Sequence, residues 1–191
     1  MTALQEYQMV LALGPAGTGK TYLAIAAAVE ALEANKVERI VLSRPAVEAG
    51  ESIGFLPGDV NEKVAPYMQP LYEALLEGLG GKRLRALMSN GGIEIAPVAF
   101  MRGRTLSRSS VVIDEAQNCK YGQLKMLLTR LGWDAIMAIT GDPDQTDLLS
   151  ELSGLADIAN KLEPVKNISV VRLEQTDVVR YPLVGDMLTV L

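Results

Sequence analysis

The segment "MVLALGPAGTGKTYLA" (residues 9–24) constrains this chain more than any other. An apolar run of strand character leads into Gly14-Pro15-Ala16-Gly17-Thr18-Gly19-Lys20-Thr21, which fits the pattern G-x-x-x-x-G-K-[ST], and a helix-forming stretch follows from Tyr22. A loop of this composition turns successive backbone N–H groups toward one point. The N-terminus of the helix behind it adds its dipole, so the loop can cradle phosphate oxygens. Glycine is needed where a Cβ would block the backbone from its ligand. Lys20 is expected to reach the β- and γ-phosphates of a nucleotide, and the Thr21 hydroxyl to ligate Mg²⁺. A strand before the loop and a helix after it, with Tyr22 in its first turn, separate this motif from a chance glycine-rich turn.

The rest of the chain repeats that alternation. Strand patterns fall at 8–13, 39–43, 93–97, 111–114, 135–140 and 168–173, and helix patterns at 20–34, 59–77, 82–89, 121–131, 151–162 and 182–191. The strands are apolar on both faces, which predicts a mostly parallel sheet covered by helices on each side, a three-layer α/β fold. A length of 191 residues suits one domain, 1–191. The stretch 44–81 breaks the rhythm with many glycines and prolines and reads as a lid-like insertion. Its second half is helical in pattern, and Pro66 and Pro70 are expected to kink or segment that helix.

Two carboxylate-bearing stretches add chemistry. "SVVIDEAQN" (110–118) runs an apolar strand into Asp114, placed to hold the water shell of Mg²⁺, and Glu115, placed to orient and deprotonate an attacking water. "AIMAITGDPDQTDL" (135–148) ends a strand in a turn shaped by Asp142 and Asp144. Gln145 follows as a neutral donor and acceptor able to sense a γ-phosphate.

Charge and composition exclude several classes. A net charge of −5 argues against a surface that binds nucleic acid everywhere. Between Gly78 and Ile113, however, there are six basic residues (Lys82, Arg83, Arg85, Arg102, Arg104, Arg108) and one acid, Glu94. No apolar run is long enough to span a bilayer, and no stretch reads as a signal peptide. The single cysteine, Cys119, has no partner for a disulfide and no histidine to activate it, so it reads as a bystander thiol in a reducing cytoplasm.

Taken together, "LALGPAGTGKTYLA", "SRPAVEAGESIGFLPGDVNEKVAPYMQPLYEAL", "APVAFMRGRTL", "VVIDEAQN", "MLLTRLG", "TGDPDQTDL" and "DVVRYPLV" resemble the PhoH-like ATPases, phosphate-starvation-inducible proteins related to superfamily 1 helicases. The resemblance implies a RecA-like core, ATP with Mg²⁺, a cytoplasmic location and a connection with RNA, whether single-stranded RNA or an RNA-processing partner. It implies that strand 135–140 lies between the P-loop strand and strand 111–114, bringing Gln145 to the nucleotide. It also puts Arg180 in a segment akin to the helicases' arginine motif. With one RecA-like domain per chain, Arg180 is expected to act in trans within a homo-oligomer. Arg44, Arg102 and Arg104 are expected to contact RNA phosphates or to report nucleotide state. Two features depart from the family pattern: Tyr181 stands where a histidine is expected, and "TALQ" (2–5) sits close to Gly14 for an adenine-contacting element. The expected activity is ATP hydrolysis; a lone chain is not expected to unwind, so either a neighbouring subunit supplies the second face or ATP is hydrolysed without unwinding. A kinase passing the γ-phosphate to a small acceptor and a nucleotide-dependent scaffold with negligible turnover are the alternatives.

Overall fold

The computed structural model describes residues 2–45, 60–147 and 153–179. Within them six strands form one sheet: β1 (Met9–Leu13), β2 (Arg39–Arg44), β3 (Ile93–Pro97), β4 (Ser109–Ile113), β5 (Ile136–Gly141) and β6 (Ile168–Arg172). Their order is β3-β2-β4-β5-β1-β6, and every pairing is parallel. β5 therefore separates the P-loop strand β1 from β4, as the family resemblance implies.

Alternate residues of the strands face opposite helical layers; β1, β2, β4 and β5 are buried on both faces, whereas the edge strands β3 and β6 are partly exposed. Leu11, Val41, Val111, Ile113, Met137 and Ile139 pack with Leu124 and Leu127 of helix α4 (Tyr121–Leu128) and Ile158 of helix α5 (Leu155–Leu162). Ile40, Leu42, Val112 and Ala138 pack with Ala24, Ile25 and Ala28 of α2 (Lys20–Glu33) and with Leu71, Leu75 and Leu84 of α3 (Val60–Ser89). Each large aliphatic side chain so buried contributes about 1.5–3 kcal/mol. The alanine-rich face of α2 lets that helix lie close on the sheet, and this fixes the P-loop at its N-terminus.

Several boundaries differ from the sequence pattern for physical reasons. α3 runs through Pro66 and Pro70 without leaving helical φ/ψ, and departs from them at Gly80 (φ 71°). Both prolines are exposed, one turn apart on the solvent side, so water can satisfy the carbonyls they free. α4 stops at Leu128 because the following residues pair with the chain before β4: Leu106 donates to the Arg130 carbonyl at 2.8 Å and Gly132 to the Leu106 carbonyl at 3.1 Å. Residues 2–5 belong to a short helix, α1 (Thr2–Glu6), packed on α2, with Gln5 Nε2 3.3 Å from the Glu30 carboxylate. Gln5 is thus directed to the far end of α2 from the P-loop and not toward a nucleotide base. α5 begins at Leu155 after Gly154. Residues 46–59 of the lid-like stretch and the helix pattern at 182–191 lie outside the described residues. No helix among the described residues is long and apolar enough to cross a membrane.

Candidate functional site

In a parallel sheet the strands deliver their C-terminal residues to one edge. Register then decides which side chains meet. Ser43 is paired with Ile113, and Ile113 with Ile139, so Arg44, Asp114 and Thr140 follow side by side on β2, β4 and β5. Strand parity gives these three residues the α2 face, shared with Leu42, Val112 and Ala138. Thr21, in the first turn of α2, donates its hydroxyl to Asp114 Oδ1 at 2.6 Å, and Thr140 Oγ1 donates to the same oxygen at 2.7 Å. Asp114 is buried, both hydroxyls meet its Oδ1, and Arg44 lies 3.9 Å from its Oδ2.

The P-loop closes around Lys20. Its Nζ donates to the carbonyls of Gly14 and Pro15, both at 2.6 Å, and approaches Thr18 Oγ1 at 3.2 Å, while Thr18 itself donates to Pro15. Burial lowers the pKa of Lys20, and Asp142, Glu115 and Asp114 oppose that shift. Gly14 (φ 143°) is held by its N–H to the Gly141 carbonyl at 3.1 Å, and any Cβ there would collide with the Leu173 carbonyl. Gly19 (φ 77°) caps α2 in the left-handed region. A pocket of about 330 Å³ opens above the loop. Ala16, Gly17, Gly19, Lys20, Thr21 and Tyr22 line one side of it, and Asp114, Glu115, Gln117, Asp142 and Gln145 the other. Gly14, Pro15 and Thr18 shape the loop without lining the pocket.

Glu115 has left-handed backbone (φ 52°, ψ 41°), which costs a non-glycine residue on the order of 1 kcal/mol and recurs at functional positions. Arg44 approaches its Oε1 at 3.1 Å, and Gln117 Nε2 donates to its Oε2. The Gln117 amide oxygen accepts the Asp142 N–H at 3.0 Å, and the Gln117 carbonyl accepts from Thr146 and Ser153. Asn118 and Asp147 bond reciprocally at 2.8 Å. The β4 and β5 loops are thereby locked together. Asp142 does shape the turn, accepting the Asp144 N–H at 3.1 Å, but it also faces Lys20. Gln117 and Thr140 are the site residues that sequence reasoning missed. Gln117 stands two residues past Glu115 in "IDEAQ", and Thr140 shares the parity of Ala138, signals that point to them only once the strand order is fixed.

The basic segment does not come together in the same way. Arg104 forks onto Glu94 with two contacts of 2.6 Å, Arg108 pairs with Glu38 at 3.1 Å, and Arg83 pairs with Glu33 at 3.1 Å. Arg102 is exposed. Arg44, expected among RNA contacts or nucleotide reporters, lies against Asp114 and Glu115. Arg180 is outside the described residues, although its neighbour Val179 donates its N–H to the Gly17 carbonyl at 2.9 Å. Cys119 is buried, and desolvation pushes its thiol up to about 12, as befits a bystander.

The profile of the PhoH-like protein family matches residues 1–191. A PhoH-like protein of Bacillus subtilis is 53% identical over 98% of this chain and 59% of its own length. Protein PhoH of Escherichia coli is 42% identical over 96% of this chain and 52% of its own length. The chain thus spans somewhat more than half the length of these curated relatives. Among solved structures, the large terminase of a thermophilic bacteriophage is similar in fold, with a TM-score of 0.60 at 13% identity over 97% of this chain and 45% of that one. The chain belongs to the PhoH-like protein family and has its RecA-like, P-loop type of α/β fold.

Proposed function

We propose that residues 1–191 form a single RecA-like domain that binds ATP with Mg²⁺ over the P-loop and transfers the γ-phosphate to water. The observation that carries this reading is the contact between Thr21 Oγ1 and Asp114 Oδ1 at 2.6 Å, beside Lys20 at the mouth of the pocket. These are hard oxygen donors of the kind Mg²⁺ accepts, and Mg²⁺ takes its remaining ligands from water and phosphate oxygens.

In this reading Lys20 leaves the Gly14 and Pro15 carbonyls for the β- and γ-phosphates, and the loop N–H groups take the remaining oxygens. Bound Mg²⁺ supplies neutralisation of charge developing on the phosphates. Glu115 accepts the proton of the attacking water, and Gln145 reports the γ-phosphate across the pocket. Arg180 is assigned to a neighbour's nucleotide in a homo-oligomer. A cytoplasmic setting and an RNA or ribonucleoprotein partner follow from the family resemblance.

The experiment is a product assay with γ-labelled ATP and Mg²⁺, with and without single-stranded RNA at two salt concentrations. Free phosphate supports hydrolysis. A phosphorylated small acceptor moves the chain to the kinases, and tight binding without phosphate release makes it a scaffold. Salt-sensitive stimulation by RNA supports contacts to the phosphate backbone.

A further inference from the structure

Arg44 brings a cation into the site from the side opposite the P-loop. β2 lies three strands from β1 in the order β2-β4-β5-β1, a separation of about 14 Å at ordinary strand spacing. Arg44 ends β2, and its side chain is partly covered, at 22% exposure. It reaches Glu115 Oε1 at 3.1 Å but stands 3.9 Å from Asp114 Oδ2, so Glu115 is its principal partner. Asp114 is engaged on its other oxygen by Thr21 and Thr140, whereas the Glu115 carboxylate has Arg44 on one oxygen and Gln117 on the other.

The two partners of Glu115 pull in different directions. Gln117 is tied to β5 through the Asp142 N–H, on the pocket side. Arg44 belongs to β2, on the far side of β4 from the phosphates. Glu115 lines the pocket above the P-loop, yet one of its carboxylate oxygens is held by a guanidinium that does not line that pocket. The pair is only partly desolvated, with side-chain exposures of 22% and 35%, so it can be broken at modest cost.

We infer that Arg44 restrains Glu115, so that the ion pair must open before Glu115 can serve a water at the γ-phosphate. Arg44 is thus a positioning residue whose effect on turnover runs through Glu115. This inference rests on the proposed hydrolytic role of Glu115. Because the restraint acts on the carboxylate and not on the phosphate loop, it changes kcat and leaves nucleotide affinity alone.

The test compares wild-type, R44A, R44K and R44A/E115Q proteins by steady-state ATP hydrolysis and by binding of a fluorescent ADP analogue, with thermal melting as the folding control. R44A is expected to raise kcat about two- to fivefold, the scale of one partly exposed ion pair, with unchanged ADP affinity. R44K, which keeps the charge, is expected to return toward the wild-type rate. R44A/E115Q is expected to be as slow as E115Q, showing that the gain passes through Glu115. A folded R44A protein that binds ADP normally but turns over no faster, or more slowly, than wild type overturns the restraint. So does a gain that survives in the E115Q background. Failure of the wild-type protein to bind ADP would instead sink the nucleotide-site reading, which separates the two failures.

Discussion

The P-loop edge of the sheet and the basic segment between Gly78 and Ile113 both stand out in the sequence, and the fold treats them in opposite ways. At the P-loop edge, residues as distant as Thr21, Asp114 and Thr140 converge on one carboxylate oxygen. In the basic segment, residues close in sequence part company, and Arg83, Arg104 and Arg108 each find a different acid. Parallel strands carry their ends to one edge whatever their sequence separation. A helix, a strand and a connecting loop spread consecutive arginines over different faces. Sequence clustering is therefore weak testimony for a charged surface, whereas a motif at a strand end is strong testimony for a site.

Mutations can break or sharpen that contrast. The largest effect is expected from Lys20→Ala, which removes the loop's mobile cation and should abolish detectable ATP turnover, with nucleotide binding lost in a fluorescence titration. Glu115→Gln should retain ATP while slowing phosphate release about 10²-fold or more, the scale for a missing general base. A Glu115→Gln protein with normal turnover would detach Glu115 from the chemistry.

Mixing Arg180→Ala with Lys20→Ala is the next test, since a trans arrangement lets an intact P-loop meet an intact Arg180 and restores part of the activity. A mixture that co-assembles yet stays inactive, or an Arg180→Ala protein that is fully active alone, would overturn the trans arrangement.

Nucleotide affinity should also depend on pH. Burial lowers the pKa of Lys20, so its charge is lost at lower pH than for an ordinary lysine. Affinity for an ADP analogue should consequently weaken as pH rises through that lowered value, readable in titrations extended into the alkaline range below the ordinary lysine value.

The smallest effects are expected in the basic segment. If this face meets RNA, Arg102→Ala should lower the salt slope of binding by about 0.7, one phosphate contact, while Arg104→Ala should leave it unchanged because Glu94 already holds that guanidinium. Equal changes for both arginines would show that the Glu94 fork opens on binding. Arg104 also holds the Glu94 pKa below its ordinary value, so the pair's contribution to stability is present above the unfolded carboxyl value and fades as pH falls through the lowered one. For a partly exposed pair that contribution should stay below about 1 kcal/mol in acid denaturation.

The sequence by itself determined the phosphate loop, the succession of strands and helices along the chain, and the acids at the end of β4. Those signals are local: glycines where backbone must approach a ligand, apolar runs of strand length, and a carboxylate where such a run stops. It did not determine that Pro66 and Pro70 would pass within a continuous helix, because their tolerance depends on which side of α3 meets water. Nor did it reveal Thr140 as a partner of Asp114, Gln117 as the tie between two loops, or Arg44 as a neighbour of Glu115. Those contacts depend on strand order and register, which bring β2, β4 and β5 side by side and set which alternate residues share the α2 face. Only the tertiary structure decides register, because it is fixed by packing both sheet faces at once, and no single stretch of the chain carries that information.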